Sequence, residues 1–261
     1  MKFKSMWVVT LGFIVTTAAQ AEPATFFRVW QGFKKPELTQ PQFREAVGPF
    51  MQSTLDTYLG KGLNNYFVAM PPLNKPAFVP DEFALVGMTT EAAYREVRAT
   101  PAGQAYGEKH WELFDKNTSK SAPFLVFDAK TMPTLAHNTA YDIIGDAIDW
   151  TAGHTTFFLG LRKPDVKPEA FLRELASHVA FVARTLKPLG LKGYIIIAHE
   201  NYEIAYLHWE SKEKADTAFA TQPGRDVAAD AGKILESLMF QAAEKYEGVA
   251  KDQSFYSTVG R

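Results

Sequence analysis

Two side chains in the first half of the chain have a spacing suited to ligand binding or proton transfer. Tyr106 and His110 are four residues apart, which places them on one face of a helix, and Trp111 follows directly. Because histidine titrates near neutral pH, His110 could act at a pocket edge as an acid, a base or a haem ligand. The alternative is an aromatic helix face packed against a sheet.

Arg28 is a further candidate because it lies mid-strand, with Phe26 and Trp30 on the same face. A buried guanidinium requires a partner or a ligand. Arg28 could bind an acidic ligand group inside a barrel, with Trp30 as a second candidate contact. The alternative is a structural ion pair.

Several other chemistries are excluded by composition and motifs. The 261 residues include no cysteine, which rules out disulfides and thiolate metal sites. The six histidines have no HxxxH or HExxH spacing, and no GxSxG, P-loop or GxGxxG motif occurs. We therefore predict no metal site and no cofactor. With 28 basic and 29 acidic residues, the net charge of −1 argues against a nucleic-acid partner.

Residues 1–21 have the pattern of a cleavable secretory signal peptide. Lys2 and Lys4 precede an uncharged, mostly apolar run that ends in Ala19-Gln20-Ala21. The alternative, a membrane anchor, requires roughly 20 apolar residues, more than this run provides. We expect cleavage after Ala21, a periplasmic or secreted location, and no membrane span in the mature chain.

The remainder of the chain contains one unit twice. Thr25-Phe26-Phe27 recurs as Thr156-Phe157-Phe158, an offset of 131 residues, whereas Phe83–Val86 falls on Ile204–Leu207 at an offset of 121. The difference predicts ten extra residues in the first copy. The stretch 71–80 fits this insertion, since its four prolines disfavour a helix or a central strand.

Each copy is predicted to have the order βαββαβ, which is the ferredoxin-like motif. Proline is expected to divide the second helix before Pro101 and before Pro223, and Gly48-Pro49 is expected to kink or break the first. The predicted strands and first helices are Thr25–Trp30, Gln40–Tyr58, Asn65–Met70, Glu82–Met88 and Pro123–Phe127, then Thr156–Leu161, Pro168–Leu186, Tyr194–His199, Glu203–Trp209 and Ser254–Val259.

The sequence thus predicts an α+β fold with two tandem ferredoxin-like units, at 22–132 and 154–261. A partly helical linker at 133–153 is expected to join them, because its apolar residues recur at helical spacing. The two sheets would pack against each other as an intramolecular, pseudo-dimeric α/β barrel.

The segment Leu207–Ala215 carries a resemblance to a known superfamily. Its sequence, Leu-His-Trp-Glu-Ser-Lys-Glu-Lys-Ala, resembles the strand-Trp-x-Ser-x-Glu-x-Ala pattern of dimeric α/β-barrel proteins, which include the antibiotic-biosynthesis-monooxygenase-like proteins. The resemblance implies that Trp209 faces the barrel, so that Tyr206 and His208 would face the helices. Members include cofactor-free oxygenases, haem-binding enzymes and proteins without known activity.

Haem-degrading members pair a strand-end tryptophan with a histidine on the next helix. Trp209 matches the first, but no histidine follows it at the expected position. In the first copy His110 is about one turn late, and Met88 replaces the tryptophan. The pair is therefore absent from both copies.

Three functions remain open at this stage. The favoured one is binding of a small apolar or aromatic ligand, or of a protein partner, with Arg28, Trp30, Tyr106, His110 and Trp209 as candidate contacts. The alternatives are a cofactor-independent, monooxygenase-like enzyme acting on an aromatic substrate and a haem-binding protein. The oligomeric state and the ligand are not indicated by the sequence.

Overall fold

A computed structural model describes residues 22–248 and 254–259, so the predicted signal peptide lies outside the described residues. The first unit begins with strand, helix and two strands, followed by a divided helix and a short strand. Its elements are β1 (Phe26–Gly32), α1 (Gln40–Tyr58), β2 (Leu63–Ala69), β3 (Glu82–Met88), α2 (Glu91–Ala99), α3 (Pro101–Leu113) and β4 (Lys120–Ser121).

The second unit repeats this order after two connecting strands, and two further strands follow it. The elements are β5 (Phe124–Val126), β6 (Thr139–Asp142), β7 (His154–Arg162), α4 (Pro168–Leu186), β8 (Leu191–His199), β9 (Tyr202–Trp209), α5 (Lys212–Ala220), α6 (Gln222–Ile234), β10 (Leu235–Ala242), β11 (Glu244–Lys245) and β12 (Phe255–Ser257).

Local capping residues determine where the helices begin. The Gln42 backbone N–H donates to the Thr39 side chain, and the Thr39 backbone N–H donates to Gln42 Oε1, which together form a capping box for α1. Thr100 and Thr221 cap the second pieces of the divided helices, which confirms the predicted divisions. Of the kink or break predicted at Gly48-Pro49, the break does not occur, because α1 runs through Pro49 without interruption.

The strands form two six-stranded sheets whose central order is ferredoxin-like. The order β4-β1-β3-β2 in the first sheet corresponds to β10-β7-β9-β8 in the second. Each sheet is completed by strands from elsewhere in the chain: β12 pairs with β2, and β6 pairs with β8. The two units therefore exchange edge strands.

This exchange corrects three predictions. The stretch Pro123–Phe127 does not close the first unit but supplies β5 to the second sheet, and Ser254–Val259 supplies β12 to the first sheet. The linker 133–153 contains no helix and contributes β6. Apolar periodicity identifies a buried segment, but it does not show which open sheet edge will accept that segment.

The structure also corrects the spacing of the repeat. Pro168 stands 128 residues after Gln40, and Leu191 stands 128 after Leu63, so the early offset is 128 rather than 131. Gly62 and Gly190, which precede β2 and β8, both have positive φ. The later offset of 121 is as predicted, so the first copy has seven extra residues in the β2–β3 connection, not ten.

The two sheets pack face to face around an apolar interior. Phe83 contacts Phe157 and Tyr202 across the interface, with ring centroids 6.0 and 5.8 Å apart. The Tyr202 hydroxyl donates to Gln31 Oε1 at 2.7 Å. Val79, from the proline-rich insertion, is fully buried in the same cluster. The fold is therefore the predicted pseudo-dimeric α/β barrel within one chain.

None of the helices in the described part of the chain combines the length and apolar character needed to cross a bilayer.

Candidate functional site

Four of the five predicted site residues line one cavity of about 210 Å³. Arg28 and Trp30 enter it from β1, and Tyr106 and His110 enter it from α3. The cavity lies between the helices of the first unit and the outer face of its sheet, not inside the barrel. On β1 it is the alternate residues, among them Phe27, that face the second sheet.

The fifth predicted residue, Trp209, lies in the other unit and faces the helices. Its ring contacts Phe219 of α5 at 5.3 Å, within the apolar core between the second sheet and its helices. Tyr206 and His208 face the opposite way, and the centre of the His208 ring lies 4.8 Å from that of the Trp150 ring. The orientation implied by the resemblance is therefore wrong, and Trp209 does not share the cavity of the other four.

Two guanidinium groups give the first-unit cavity its charge. Arg28 Nη2 donates to Ser121 Oγ at 2.7 Å, and its guanidinium lies 5.4 Å from the centre of the Tyr94 ring. Arg98 donates to the Gly103 carbonyl at 2.9 Å. Within residues 22–248 and 254–259, neither arginine has an ion-pair partner. The structural ion pair considered for Arg28 is thus not formed there.

Tyr94 and Arg98 were missed by the sequence reasoning, although a signal for them exists. They are four residues apart on α2, the same spacing that drew attention to Tyr106 and His110. Glu108 also lines the cavity and is exposed. The cavity therefore carries two cationic groups and one carboxylate.

His110 is held as a neutral imidazole with a defined tautomer. Its Nδ1 lies 3.2 Å from the Tyr106 carbonyl oxygen, which can only accept, so Nδ1 carries the proton. Burial, with smaller contributions from the charges of Arg98 and Arg28, lowers the pKa of His110 to about 4, although the hydrogen bond to Tyr106 acts in the opposite direction. Nε2 makes no hydrogen bond within the described ranges, so it is an available acceptor.

Hydrogen bonds between hydroxyl groups order the inner wall of the cavity. Thr54 Oγ1 is 2.9 Å from the Tyr106 hydroxyl and 3.3 Å from that of Tyr66. Burial raises the pKa of Tyr106 above its ordinary value and that of Tyr58 to about 12. Tyr106 therefore keeps its proton at neutral pH and serves as a wall of the cavity, stacked on Phe50 at 5.5 Å.

The cavity does not fit a haem. His110 offers a nitrogen of the kind that ligates haem iron. The volume of about 210 Å³, however, is below the roughly 300–1,000 Å³ of sites for drug-sized ligands, and a tetrapyrrole is larger than most of those. Across the described residues, no three His, Asp or Glu side chains group as a metal site.

Comparisons with known proteins give fold-level likenesses. No family model and no curated protein matches the chain. A protein assigned as a monooxygenase from Lactobacillus acidophilus NCFM is 8% identical, with 83% of this chain and 91% of that one covered at a TM-score of 0.43. An anthrone oxidase-like protein is 11% identical, with coverages of 86% and 95% and a TM-score of 0.34.

A protein assigned as a monooxygenase from Fusobacterium nucleatum is 10% identical, with coverages of 86% and 95% and a TM-score of 0.41. These identities and scores carry no activity over to this chain. The central order β4-β1-β3-β2, its repetition in the second sheet and the packing of the two sheets are observed directly. The chain therefore has the dimeric α/β-barrel fold, with both halves contributed by one polypeptide.

Proposed function

We propose that the first-unit cavity binds a small aromatic anion. The observation that carries this proposal is the pair of guanidinium groups, Arg28 and Arg98, facing aromatic walls without a carboxylate partner within the described residues. Guanidinium groups bind carboxylates through charge-assisted, bidentate hydrogen bonds. Trp30, Tyr94 and Trp111 supply the apolar surface for the ring.

The size of the cavity limits the ligand to about one ring. At about 210 Å³ it is smaller than sites for drug-sized molecules, which favours a benzoate-like or phenylacetate-like acid. The neutral His110 adds no charge at pH 7, so its Nε2 can accept from a ring hydroxyl. The proposal specifies an aromatic acid and, as a preferred variant, one that bears a hydroxyl.

The test is a calorimetric titration of the protein with benzoate, 4-hydroxybenzoate and neutral benzamide. We expect binding of both acids and little binding of benzamide, because the amide lacks the charge that the arginines select. Arg98→Gln should weaken benzoate binding about tenfold or more, since a hydrogen bond to a charged group contributes roughly 1.5–3 kcal/mol. Arg28→Gln should have a similar effect.

A matched control for these variants lies on the same helix. Arg95 is exposed and paired with Glu91 at 2.6 Å, so Arg95→Gln should leave benzoate affinity unchanged. Equal binding of benzamide and benzoate, or equal losses in Arg95→Gln and Arg98→Gln, would refute the proposed anion site.

A second candidate function is a cofactor-independent, monooxygenase-like enzyme acting on a phenolic substrate. The neutral His110 with its free Nε2 favours it, because such a base can accept a phenolic proton. Oxygen uptake measured with 2,5-dihydroxybenzoate, whose hydroquinone ring can itself supply the two electrons that reduce the second oxygen atom to water, would support it if His110→Gln removes the uptake while the affinity is retained. No uptake in the wild-type protein would leave binding as the function.

We also propose that the protein is exported. The support is the charged start, apolar run and Ala19-Gln20-Ala21 site in residues 1–21. Intact-mass analysis of protein expressed from the full gene should find a mature chain that starts at Glu22. A cell-associated chain that retains Met1 would contradict this.

A further inference from the structure

The second unit contains a cavity at the position that corresponds to the first-unit cavity. It has a volume of about 330 Å³ and lies between α4, α6 and the outer face of the second sheet. With the repeat offsets of 128 and 121, Val182 corresponds to Thr54, Val227 to Tyr106 and Ala231 to His110. Phe219 likewise replaces Arg98. The second cavity therefore has no counterpart of Arg98 or His110; its described lining includes no arginine or lysine, has His178 of α4 as its histidine and is mainly apolar.

One carboxyl group interrupts this apolar lining. Glu203 is 1% exposed and lines the cavity from β9. The Tyr194 hydroxyl donates to its Oε1 at 3.2 Å. Its Oε2 has no hydrogen-bond partner within the described ranges. Unlike the unpaired polar atoms that are fully buried there, however, Oε2 keeps some accessible surface. Oε2 therefore reaches the cavity.

Glu82, at the equivalent position of the first unit, shows what differs. It is also fully buried, but both of its oxygens are sealed from solvent and have no hydrogen-bond partner within the described residues. Glu82 does not line the first-unit cavity as described. The two glutamates occupy the same place in the repeat, and only Glu203 opens onto a cavity.

We propose that this second-unit cavity binds a neutral, apolar molecule of about two rings. A carbonyl oxygen of that molecule accepts a hydrogen bond from the protonated Glu203 carboxyl group. Burial raises the pKa of Glu203 to about 8, so the carboxyl group is protonated and can donate at neutral pH. A buried acid that donates to a neutral carbonyl leaves no net charge in the apolar cavity. The volume of about 330 Å³ lies within the usual range for small-molecule sites.

The other titratable groups around Glu203 keep their charge state near neutral pH and above. His178 of α4 bonds through Nδ1 to Asp230 of α6 at 2.9 Å, and burial lowers its pKa despite Asp230. Burial also raises the pKa of Tyr194 on β8. Between pH 7 and 9.5, Glu203 is therefore the group in this set expected to change its charge.

The test is a calorimetric titration of the full chain with 2-acetylnaphthalene, using 2-ethylnaphthalene and 2-naphthoate as comparison probes. We expect 2-acetylnaphthalene to bind about tenfold more tightly than the hydrocarbon, the ratio that one hydrogen bond provides. The naphthoate anion should not bind at this cavity. The affinity for 2-acetylnaphthalene should fall between pH 7 and 9.5 as Glu203 ionises.

Three variants make the test specific. Glu203→Gln should remove the pH dependence, whereas Glu82→Gln, its repeat-matched control, should retain it. Ala231→Phe should fill the cavity and abolish binding, while benzoate binding in the first unit is unchanged. Persistence of the pH dependence in Glu203→Gln, or normal 2-acetylnaphthalene binding in a folded Ala231→Phe, would overturn the proposal. Because benzoate and 2-acetylnaphthalene probe different cavities, either proposal can fail without the other.

Discussion

Glu82→Gln is expected to remove about 2 kcal/mol from the loss of unfolding free energy that the wild-type protein undergoes between pH 6.5 and pH 9. Glu82 and Glu203 are both fully buried, and burial raises the pKa of each to about 8. In the unfolded chain both are ionised at pH 6.5, whereas in the folded chain both are protonated.

The sign follows from the direction of the pKa shift. A raised pKa means that the folded state holds a proton that the unfolded state has released, so stability falls as pH rises towards the folded pKa. From pH 6.5 to about 8 each glutamate contributes a loss of about 2 kcal/mol, and the loss levels off once the folded carboxyl has ionised. Substitution by glutamine removes that proton exchange while retaining the shape of the side chain.

Urea denaturation at pH 6.5 and pH 9 measures this difference for each variant. The Glu82→Gln/Glu203→Gln double variant should lack the loss and should gain about 1 kcal/mol, because burial lowers the pKa of His110, His199 and His208 to about 4, whereas in the unfolded chain the same histidines release their protons over this range. Glu96→Gln, an exposed substitution on α2, should behave like the wild type. A Glu82→Gln variant with the same loss as the wild type would show that Glu82 is already ionised in the folded protein at pH 6.5.

Phe255→Ala is expected to reduce the unfolding free energy by about 3–5 kcal/mol. Phe255 is 1% exposed and lies in β12, the strand that crosses to the first sheet. Its ring packs against the rings of Phe67, Phe157 and Tyr206, with centroids 5.9, 5.4 and 6.0 Å apart. Truncation therefore leaves a cavity between the two sheets. Such a loss is a large part of the roughly 5–15 kcal/mol by which domains are stable.

The exchanged strand gives this prediction a local readout. Met70 N donates to the Ser254 carbonyl at 2.6 Å, and Val68 pairs with Tyr256, so weakening β12 should speed amide hydrogen exchange along β2. Phe78→Ala, at a 43% exposed position of the insertion, is the size-matched control. A loss below about 1 kcal/mol, with β2 exchange unchanged, would show that β12 does not stabilise the barrel.

Local sequence signals predicted much of the fold. The bounds of α1, β3 and α4 agree with the predictions at Gln40–Tyr58, Glu82–Met88 and Pro168–Leu186. These boundaries depend on capping residues, proline and apolar periodicity, all of which act within a few residues. The sheet predicted for the final strand of each unit was wrong, because the sheet that a strand joins depends on an open edge far away in the chain.

The candidate site was predicted in part for a related reason. Arg28, Trp30, Tyr106 and His110 were singled out from the sequence, and the structure brings them together around one cavity, but Arg28 was expected inside the barrel. Alternation along a strand shows which residues share a face, while the packing of sheets and helices decides what that face meets. The same ambiguity reversed the orientation of Trp209.

The sequence by itself determined the element order, the duplication and the division of the second helices, because hydrogen bonding and steric limits along a short stretch of chain decide them. Only the tertiary structure decided that the units exchange edge strands and that the two equivalent cavities differ in polarity. It also decided that Glu82 is sealed while Glu203 opens onto a cavity. These features depend on contacts between residues far apart in the chain, whose free energy no local pattern specifies.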